Sequence, residues 1–129
     1  MRARAGSGYD PRPSQTLPED SAMPSFAENL ETLPSIDGLD RLELYAADNH
    51  DPSAVIENRP GQSGSLAVYY KVAVDFGGIG PSAAERALEL YAEHVEDARA
   101  HPGKHPNIDR LFEVVDTDTY YSVRAVPKR

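Results

Sequence analysis

The sequence contains no cysteine and no tryptophan, and only three of its 129 residues are phenylalanine. Without cysteine, the chain has no disulfide, no thiolate metal ligand and no cysteine nucleophile. Because small secreted domains are commonly held together by disulfides, this absence favours a reducing compartment, and we expect a cytoplasmic protein. No apolar run approaches the roughly 20 residues of a membrane-spanning helix, and the N-terminal residues lack the apolar stretch of a signal peptide.

Positive charge is also scarce. The chain has 13 Lys and Arg residues against 21 Asp and Glu residues, which gives a net charge of −8. An acidic surface repels the phosphates of nucleic acids and the head groups of anionic lipids. The composition therefore predicts neither a nucleic-acid partner nor a membrane partner. A small molecule or another protein, including a second copy of the chain, is expected instead.

The first part of the chain differs in composition from the rest. Residues 1–24 are rich in Pro, Gly, Ser and charged residues and have no apolar periodicity, so we expect a disordered tail. Residues 25–129 are then one domain, because a single core commonly spans about 100 to 200 residues. Met23 lies where order is expected to begin, and we hypothesise that it is the native start.

Local patterns predict the elements of this domain. Ser25 and Glu28 match a capping box at the start of a short helix, and alternating apolar residues predict strands over residues 39–46, 54–58, 66–76 and 120–126. Ser82 and Glu85 match a second capping box, at the start of a helix reaching Ala100. A last helix runs from a cap at Asn107 to Val115. This order predicts an α+β fold, in which about three helices cover one face of a small antiparallel sheet of about four strands.

Three of the four histidines lie in one segment, HVEDARAHPGKHPNIDR. On the predicted helix, His94, Asp97 and His101 share a stripe. Imidazole and carboxylate groups suit Zn, Ni, Fe or Mn, which makes His94, Asp97, His101 and His105 candidate metal ligands. His94 and His101 cannot hold one ion from a straight helix, because about 10.5 Å of helix axis separates them.

The same segment also suits acid–base catalysis, because a carboxylate can orient a histidine that titrates near neutral pH. The candidates are His94, Asp97, His105 and Asp109, and the expected reaction class is an isomerisation or a hydrolysis. A purely structural interpretation is a solvated helix edge, with His101 and His105 favourably placed as cations near the C-terminal end of the helix dipole.

The loop of residues 59–65, RPGQSGS, is a candidate anion site, because Arg59 and exposed backbone amides can hold an anion. It lacks the Gly-Lys-Ser/Thr ending of a P-loop, and it is also readable as a simple hairpin connection. If the long helix returns antiparallel to the 66–76 strand, its histidine end lies near this loop. The predicted ligand-binding residues are Arg59, Gly61, Ser63, Gly64, Ser65, Asn107 and Arg110.

Three stretches together carry a resemblance to a known family: SFAENLETLPSIDGLDRLEL, IENRPGQSGSLAVY and YAEHVEDARAHPGKHPNIDRL. The sequence resembles a family of small bacterial proteins of unassigned function, over residues 25–126. The resemblance implies a stand-alone bacterial cytosolic domain, and it brings no activity or functional residue with it. We therefore predict a small binding domain, with a small His/Asp enzyme and a homodimeric structural partner as the alternatives.

Overall fold

The structure is a computed structural model that describes residues 24–47 and 49–129. The predicted tail, apart from Pro24, and the hypothesis about Met23 lie outside these residues. Eight elements follow one another: α1 (Phe26–Glu31), β1 (Leu39–Ala46), β2 (Ala54–Glu57), α2 (Ser63–Phe76), α3 (Pro81–Tyr91), α4 (His94–Ala100), α5 (Pro106–Thr117) and β3 (Tyr121–Pro127). In the described part of the chain, no helix has both the length and the apolar character needed to cross a membrane.

The three strands form one antiparallel sheet in the order β2-β1-β3. On β1, Leu42 and Leu44 are fully buried, together with Ile56 on β2. Glu43 lies between the two leucines and therefore faces the other side of the sheet, where its carboxylate accepts hydrogen bonds from the Tyr45 hydroxyl and from Arg41. The helices thus cover one face, which confirms the α+β class, although the described residues contain three strands instead of four.

The prediction of a strand over residues 66–76 is wrong, because this segment belongs to helix α2. Three of its buried residues, Leu66, Tyr69 and Val72, are spaced three apart as on one side of a helix, whereas Val74, which an alternating strand would bury, is 64% exposed. Valine and tyrosine favour strands only weakly, and packing against the sheet and the other helices overrides that preference. An eleven-residue strand would also exceed the common length of about five to six residues.

The long helix predicted up to Ala100 is divided into α3 and α4. The break lies at Ala92, whose φ of 52° and ψ of −119° no helical residue adopts. The Ala92 N–H still bonds to the carbonyl groups of Leu88 and Glu89, and a new turn then begins with the Val95 N–H bonding to the Ala92 carbonyl. Consequently α4 does not continue the face of α3.

Of the three helix caps predicted from the sequence, the structure contains one. The capping box of Ser25 and Glu28 is present, with hydrogen bonds of 3.2 and 2.8 Å. The box predicted for Ser82 is wrong, because α3 begins at Pro81 after Gly80 and has no side-chain cap. Asn107 is not a cap either: α5 begins one residue earlier, and its N-cap position is His105.

Candidate functional site

The start of α2 and the connection between α4 and α5 border a cleft of about 650 Å³, with α1 forming a third side. The cleft therefore brings the 59–65 and 94–110 segments together. None of its lining residues is acidic. They are Phe26, Leu30, Val55, Gly61, Gln62, Gly64, Ser65, Tyr91, His94, Lys104, His105, Pro106, Asn107, Ile108 and Arg110.

Arg110 is held at one side of the cleft by neutral oxygen atoms. Its Nη1 donates to Oδ1 of Asn107 at 2.9 Å and to the Tyr69 hydroxyl at 3.2 Å, and the guanidinium lies 5.8 Å from the centre of the Tyr69 ring. Tyr69 is fully buried, and its hydroxyl donates to the backbone carbonyl of Asn107. Within the described residues, no carboxylate forms an ion pair with Arg110, so its charge is not compensated there.

Tyr69 is fixed in its donor role by burial. Its side chain has no contact with solvent, and this burial raises the pKa of Tyr69 to about 12. The phenol, which is protonated at neutral pH in any case, therefore keeps its hydrogen for the Asn107 carbonyl at alkaline pH as well. Its oxygen can then only accept from Arg110, which fixes the direction of both hydrogen bonds.

A second buried tyrosine acts in the same way on a serine. The Tyr91 hydroxyl donates to Oγ of Ser65 at 2.6 Å, and burial raises the pKa of Tyr91 far above its usual value. Because the Ser65 oxygen accepts this bond, its own hydroxyl hydrogen remains to be donated elsewhere. Ser65 lines the cleft, so this hydroxyl is available there as a donor.

Helices α2 and α5 both begin at the cleft, and neither has a side-chain cap. In α2, the N–H groups of Ser63 and Leu66 bond to the carbonyl groups of Arg59 and Gln62. The N–H groups of the remaining first-turn residues Gly64 and Ser65 have no acceptor within the helix. Both of these residues line the cleft. The first turn of α2 therefore offers backbone hydrogen-bond donors at the edge of the cleft.

Four rings in a row form one wall of the cleft, which we name the aromatic wall: Tyr91, Phe26, His94 and His105. Phe26 is parallel to Tyr91, with 5.5 Å between the ring centres. His94 meets Phe26 nearly perpendicularly at 4.8 Å, and His105 lies 5.8 Å from His94. Gly64 makes room for this arrangement, because a Cβ there would lie only 3.0 Å from the Phe26 ring.

Asp97 lies behind His105 and outside the lining of the cleft. Its carboxylate is 2.6 Å from Nε2 of His105, 3.0 Å from Nζ of Lys104 and 3.2 Å from Nδ1 of His101. The hydrogen bond to His105, followed by the one from Lys104, lowers the pKa of Asp97 strongly. The fourth catalytic candidate, Asp109, accepts a hydrogen bond from the Gly103 N–H and does not line the cleft.

The predicted metal set is not assembled. Throughout residues 24–47 and 49–129, no group of three or more His, Asp or Glu side chains is arranged to hold a metal ion. His94 contacts the rings of Phe26 and His105. The Asp97 carboxylate, the one acidic ligand predicted, already contacts Lys104 and His105 directly. The described residues therefore do not form a ready metal centre at His94, Asp97, His101 and His105, and the binding of Zn, Ni, Fe or Mn there remains a prediction.

The predicted ligand-binding residues separate into two groups. Five of them line the cleft: Gly61, Gly64, Ser65, Asn107 and Arg110. Arg59 forms an ion pair with Glu57 and borders a different groove beside β2, and Ser63 borders a shallow depression near Leu33. The two segments meet because α2 begins at the cleft, not because a 66–76 strand runs beside a long helix.

Sequence reasoning missed four residues of this region: Phe26, Tyr69, Tyr91 and Lys104. The three aromatic residues carry the apolar periodicity of core positions, and two of them do belong to the buried core. Only the tertiary arrangement shows that the two tyrosine hydroxyl groups bond to residues of the cleft and that the Phe26 ring lines it. Lys104 could have been predicted, because it is a cation between His101 and His105 in the histidine-rich segment.

The predicted homodimer could pair through an edge of the sheet, and β2 and β3 are the two edge strands of the described sheet. Strand β3 pairs with β1 on one side, and on its other side the described contact is a single bridge between Tyr121 and Ile79. Because the structure contains one chain, the homodimer remains a prediction.

Comparison with known proteins places the chain in a family. A family model described as "uncharacterized protein conserved in bacteria (DUF2322)" matches residues 26–125, which confirms the resemblance to a bacterial family of unassigned function. No curated protein and no solved structure matches the chain. Since the family model covers most of the sequence, the chain belongs to the DUF2322 family of uncharacterized proteins conserved in bacteria.

Proposed function

We propose that this protein binds a small organic anion in the cleft. The observation that carries the proposal is Arg110, a cation that lines the cleft and is held there by two neutral oxygen atoms. Among the described residues this guanidinium has no carboxylate partner, and a planar guanidinium is suited to a carboxylate or a phosphate, which it can bind through two parallel hydrogen bonds.

The electrostatics of the cleft contrast with those of the whole chain. The net charge is −8, so an anion is attracted only where the local potential is positive. Lys104 and Arg110 are the charged residues of the lining, and both are cationic. Asp97 compensates Lys104 at 3.0 Å, which leaves Arg110 as the main attraction. Ser65 and the first-turn amides of α2 add neutral donors.

The size of the cleft and its apolar lining indicate which molecule could carry the anionic group. Pockets for small organic molecules span about 300–1,000 Å³, and this cleft has about 650 Å³. Leu30, Val55 and Ile108 line it together with the aromatic wall. A molecule with one anionic group and an apolar body therefore satisfies both parts of the lining.

Amide chemical shifts in NMR spectra test the proposal without knowledge of the natural ligand. The probes are acetate, benzoate and inorganic phosphate, with benzamide as the neutral counterpart of benzoate. We expect at least one anion to shift the amide signals of Gly64, Ser65 and Asn107, and benzamide to bind at least tenfold more weakly than benzoate. Equal binding of benzoate and benzamide would contradict an anion site.

A matched pair of variants assigns the effect to Arg110. Arg110→Gln removes the charge in the cleft, and Arg86→Gln makes the same change on α3, where Arg86 pairs with Glu89 at the surface. The Arg110 variant should bind the anion at least tenfold more weakly, equivalent to about 1.4 kcal/mol, with no change for the Arg86 variant. An unchanged affinity in the Arg110 variant would rule out the proposed site.

A second candidate function is proton transfer by the same cleft, and the pair of His105 and Asp97 favours it. A carboxylate 2.6 Å from one imidazole nitrogen fixes the orientation of the ring and supports a general base. His105 lines the cleft, so a proton next to a bound carboxylate lies within reach. This would make the protein an isomerase or a hydrolase whose base is His105 and whose orienting group is Asp97.

Solvent exchange separates this candidate from simple binding. Acetate is the probe here, because its methyl protons lie next to the carboxylate, whereas benzoate and phosphate have no such proton. Acetate is incubated with the protein in D2O, and its methyl signal is followed by NMR. An isomerase of this kind should exchange these protons, and His105→Gln should abolish the exchange while acetate still binds. Binding without exchange in the wild type would contradict proton abstraction by His105.

A further inference from the structure

We infer that the anion bound by the cleft carries a planar aromatic ring, which lies against the aromatic wall. This inference rests on the proposed function and adds the class of ligand to it. The wall is continuous, because neighbouring ring centres from Tyr91 through Phe26 and His94 to His105 are 5.5, 4.8 and 5.8 Å apart. All four residues line the cleft.

The rings are held in place from behind. Tyr91 is 3% exposed and bonds to Ser65, which fixes the innermost ring of the wall. Phe26 is parallel to it, within 4°. The Phe26 backbone N–H also donates to the Glu93 carboxylate at 2.9 Å, and this bond ties α1 to the break between α3 and α4. A ligand ring therefore meets a preformed surface.

Aromatic rings prefer aromatic partners for an electrostatic reason. Their faces are negative and their edges positive, so offset or edge-to-face pairs with centres 4.5–7 Å apart gain energy beyond apolar burial. A saturated ring of similar size buries comparable area but lacks this term. The wall thus discriminates between a flat ring and a saturated one, while Arg110 binds the anionic group of either.

Gly64 supports the same interpretation. A Cβ at this position would lie 3.0 Å from the tip of the Phe26 ring and 3.6 Å from the Leu30 side chain. A methyl group there would therefore force the Phe26 ring to shift within the wall. The glycine keeps the ring beside the first turn of α2, where Ser65 supplies a donor for a ligand.

The matched probes are benzoate and cyclohexanecarboxylate, which have the same charge and similar size, with phenyl phosphate as a test of the anionic group. Isothermal titration calorimetry gives the three affinities. We expect benzoate to bind about three- to tenfold more tightly than cyclohexanecarboxylate. Tight binding of phenyl phosphate would identify the anion as a phosphate ester without changing the preference for a ring.

Two variants assign the preference to the wall. Phe26→Leu keeps an apolar side chain and removes the ring, and it should reduce the ratio of the two affinities to near one. Phe112→Leu makes the same change under Arg99, 4.6 Å from its ring and outside the cleft, and should leave the ratio unchanged. In the wild type, nuclear Overhauser effects between benzoate and Phe26 ring protons would show directly, without a substitution, that the ligand ring lies against the aromatic wall.

The outcomes distinguish the two proposals. Equal affinities for benzoate and cyclohexanecarboxylate in the wild type, or Overhauser effects that bypass the aromatic wall, would overturn the aromatic class and leave the anion site intact. If none of the three anions binds, the proposed function fails and this inference fails with it.

Discussion

Nε2 of His105 lies 2.6 Å from Oδ2 of Asp97, a contact that bridges the turn between α4 and α5. Lys104 and His101 approach the same carboxylate, so one acidic group organises the whole turn. The arrangement places His105 at the cleft and keeps Asp97 behind it. The turn is therefore expected to depend on the ionisation of Asp97.

Lowering the pH should destabilise the protein through Asp97. Its pKa is lowered in the folded state, so its contribution to stability is complete above the unfolded-state pKa of about 4 and is lost as the pH falls below that value. We expect the urea midpoint of the wild type to fall over this acidic range. Asp97→Asn should lower the midpoint at pH 7 and flatten the acidic decrease. Asp75→Asn, which removes an exposed partner of Lys71, is the control and should change neither. The pKa values of Glu43 and Glu93 are also lowered by hydrogen bonds, so part of the acidic slope should remain in Asp97→Asn, and a slope equal to that of the wild type would contradict this assignment.

Removing the Tyr69 hydroxyl should weaken both the fold and the anion site. Tyr69→Phe leaves the Asn107 carbonyl without its buried donor and releases one contact of Arg110. The expected loss is about 1–2 kcal/mol of unfolding free energy, measured by urea denaturation, with weaker anion binding. Tyr70→Phe, on the next residue of α2 and outside the cleft, should cost less and leave binding intact. Equal effects of the two variants would mean that the hydrogen bonds of Tyr69 with Asn107 and Arg110 contribute neither to stability nor to anion binding.

Glycine at position 92 should stabilise the protein. Ala92 has φ 52° and ψ −119°, a conformation that is unfavourable for a residue with a Cβ and accessible to glycine. We expect Ala92→Gly to raise the unfolding free energy by about 1 kcal/mol. Ala27→Gly, at an exposed position inside α1, should lower it by about 0.5–1 kcal/mol. A destabilised Ala92→Gly variant would show that the chain does not adopt this backbone conformation.

Adding a methyl group at Gly64 should affect binding more than stability. The new Cβ would lie 3.0 Å from the Phe26 ring, which must move, while alanine favours the helix by about 0.5–1 kcal/mol over glycine. We expect Gly64→Ala to change the unfolding free energy by less than about 1 kcal/mol and to lower affinity for benzoate at least threefold. Gly38→Ala adds a methyl group into open space and serves as the control. Full affinity in Gly64→Ala would contradict the position of Phe26.

The sequence predicts the elements whose local pattern agrees with their packing. The strands predicted over 39–46, 54–58 and 120–126 correspond to β1, β2 and β3, and the apolar residues Leu42, Leu44 and Ile56 face the core as expected. Helix α2 was predicted as a strand because apolar residues happen to alternate along its sequence. In the structure, three of the residues buried along it are three positions apart, as in a helix. The break at Ala92 had no signal, since alanine is the residue that most favours a continuous helix.

The site was predictable to the extent that its chemistry is concentrated in the sequence. The histidine-rich segment and Arg110 were identified because their residue types are versatile and close together. Arg59 borders another groove and pairs with Glu57, which lies two residues away on β2, so its part in ligand binding remains a prediction. Phe26 could not be found, since no local pattern distinguishes a ring that borders a cleft from one that fills a core.

The cleft exists only in the folded chain, because its walls come from positions as distant as Phe26 and Arg110. A molecule that binds there has no comparable site in the unfolded chain, so its binding energy adds to the stability of the whole domain. At a hundred times its dissociation constant, such a molecule contributes about 2.7 kcal/mol. Thermal unfolding of the wild type in the presence of a metabolite library would therefore rank natural ligands by mass action, with no assumption about their chemistry.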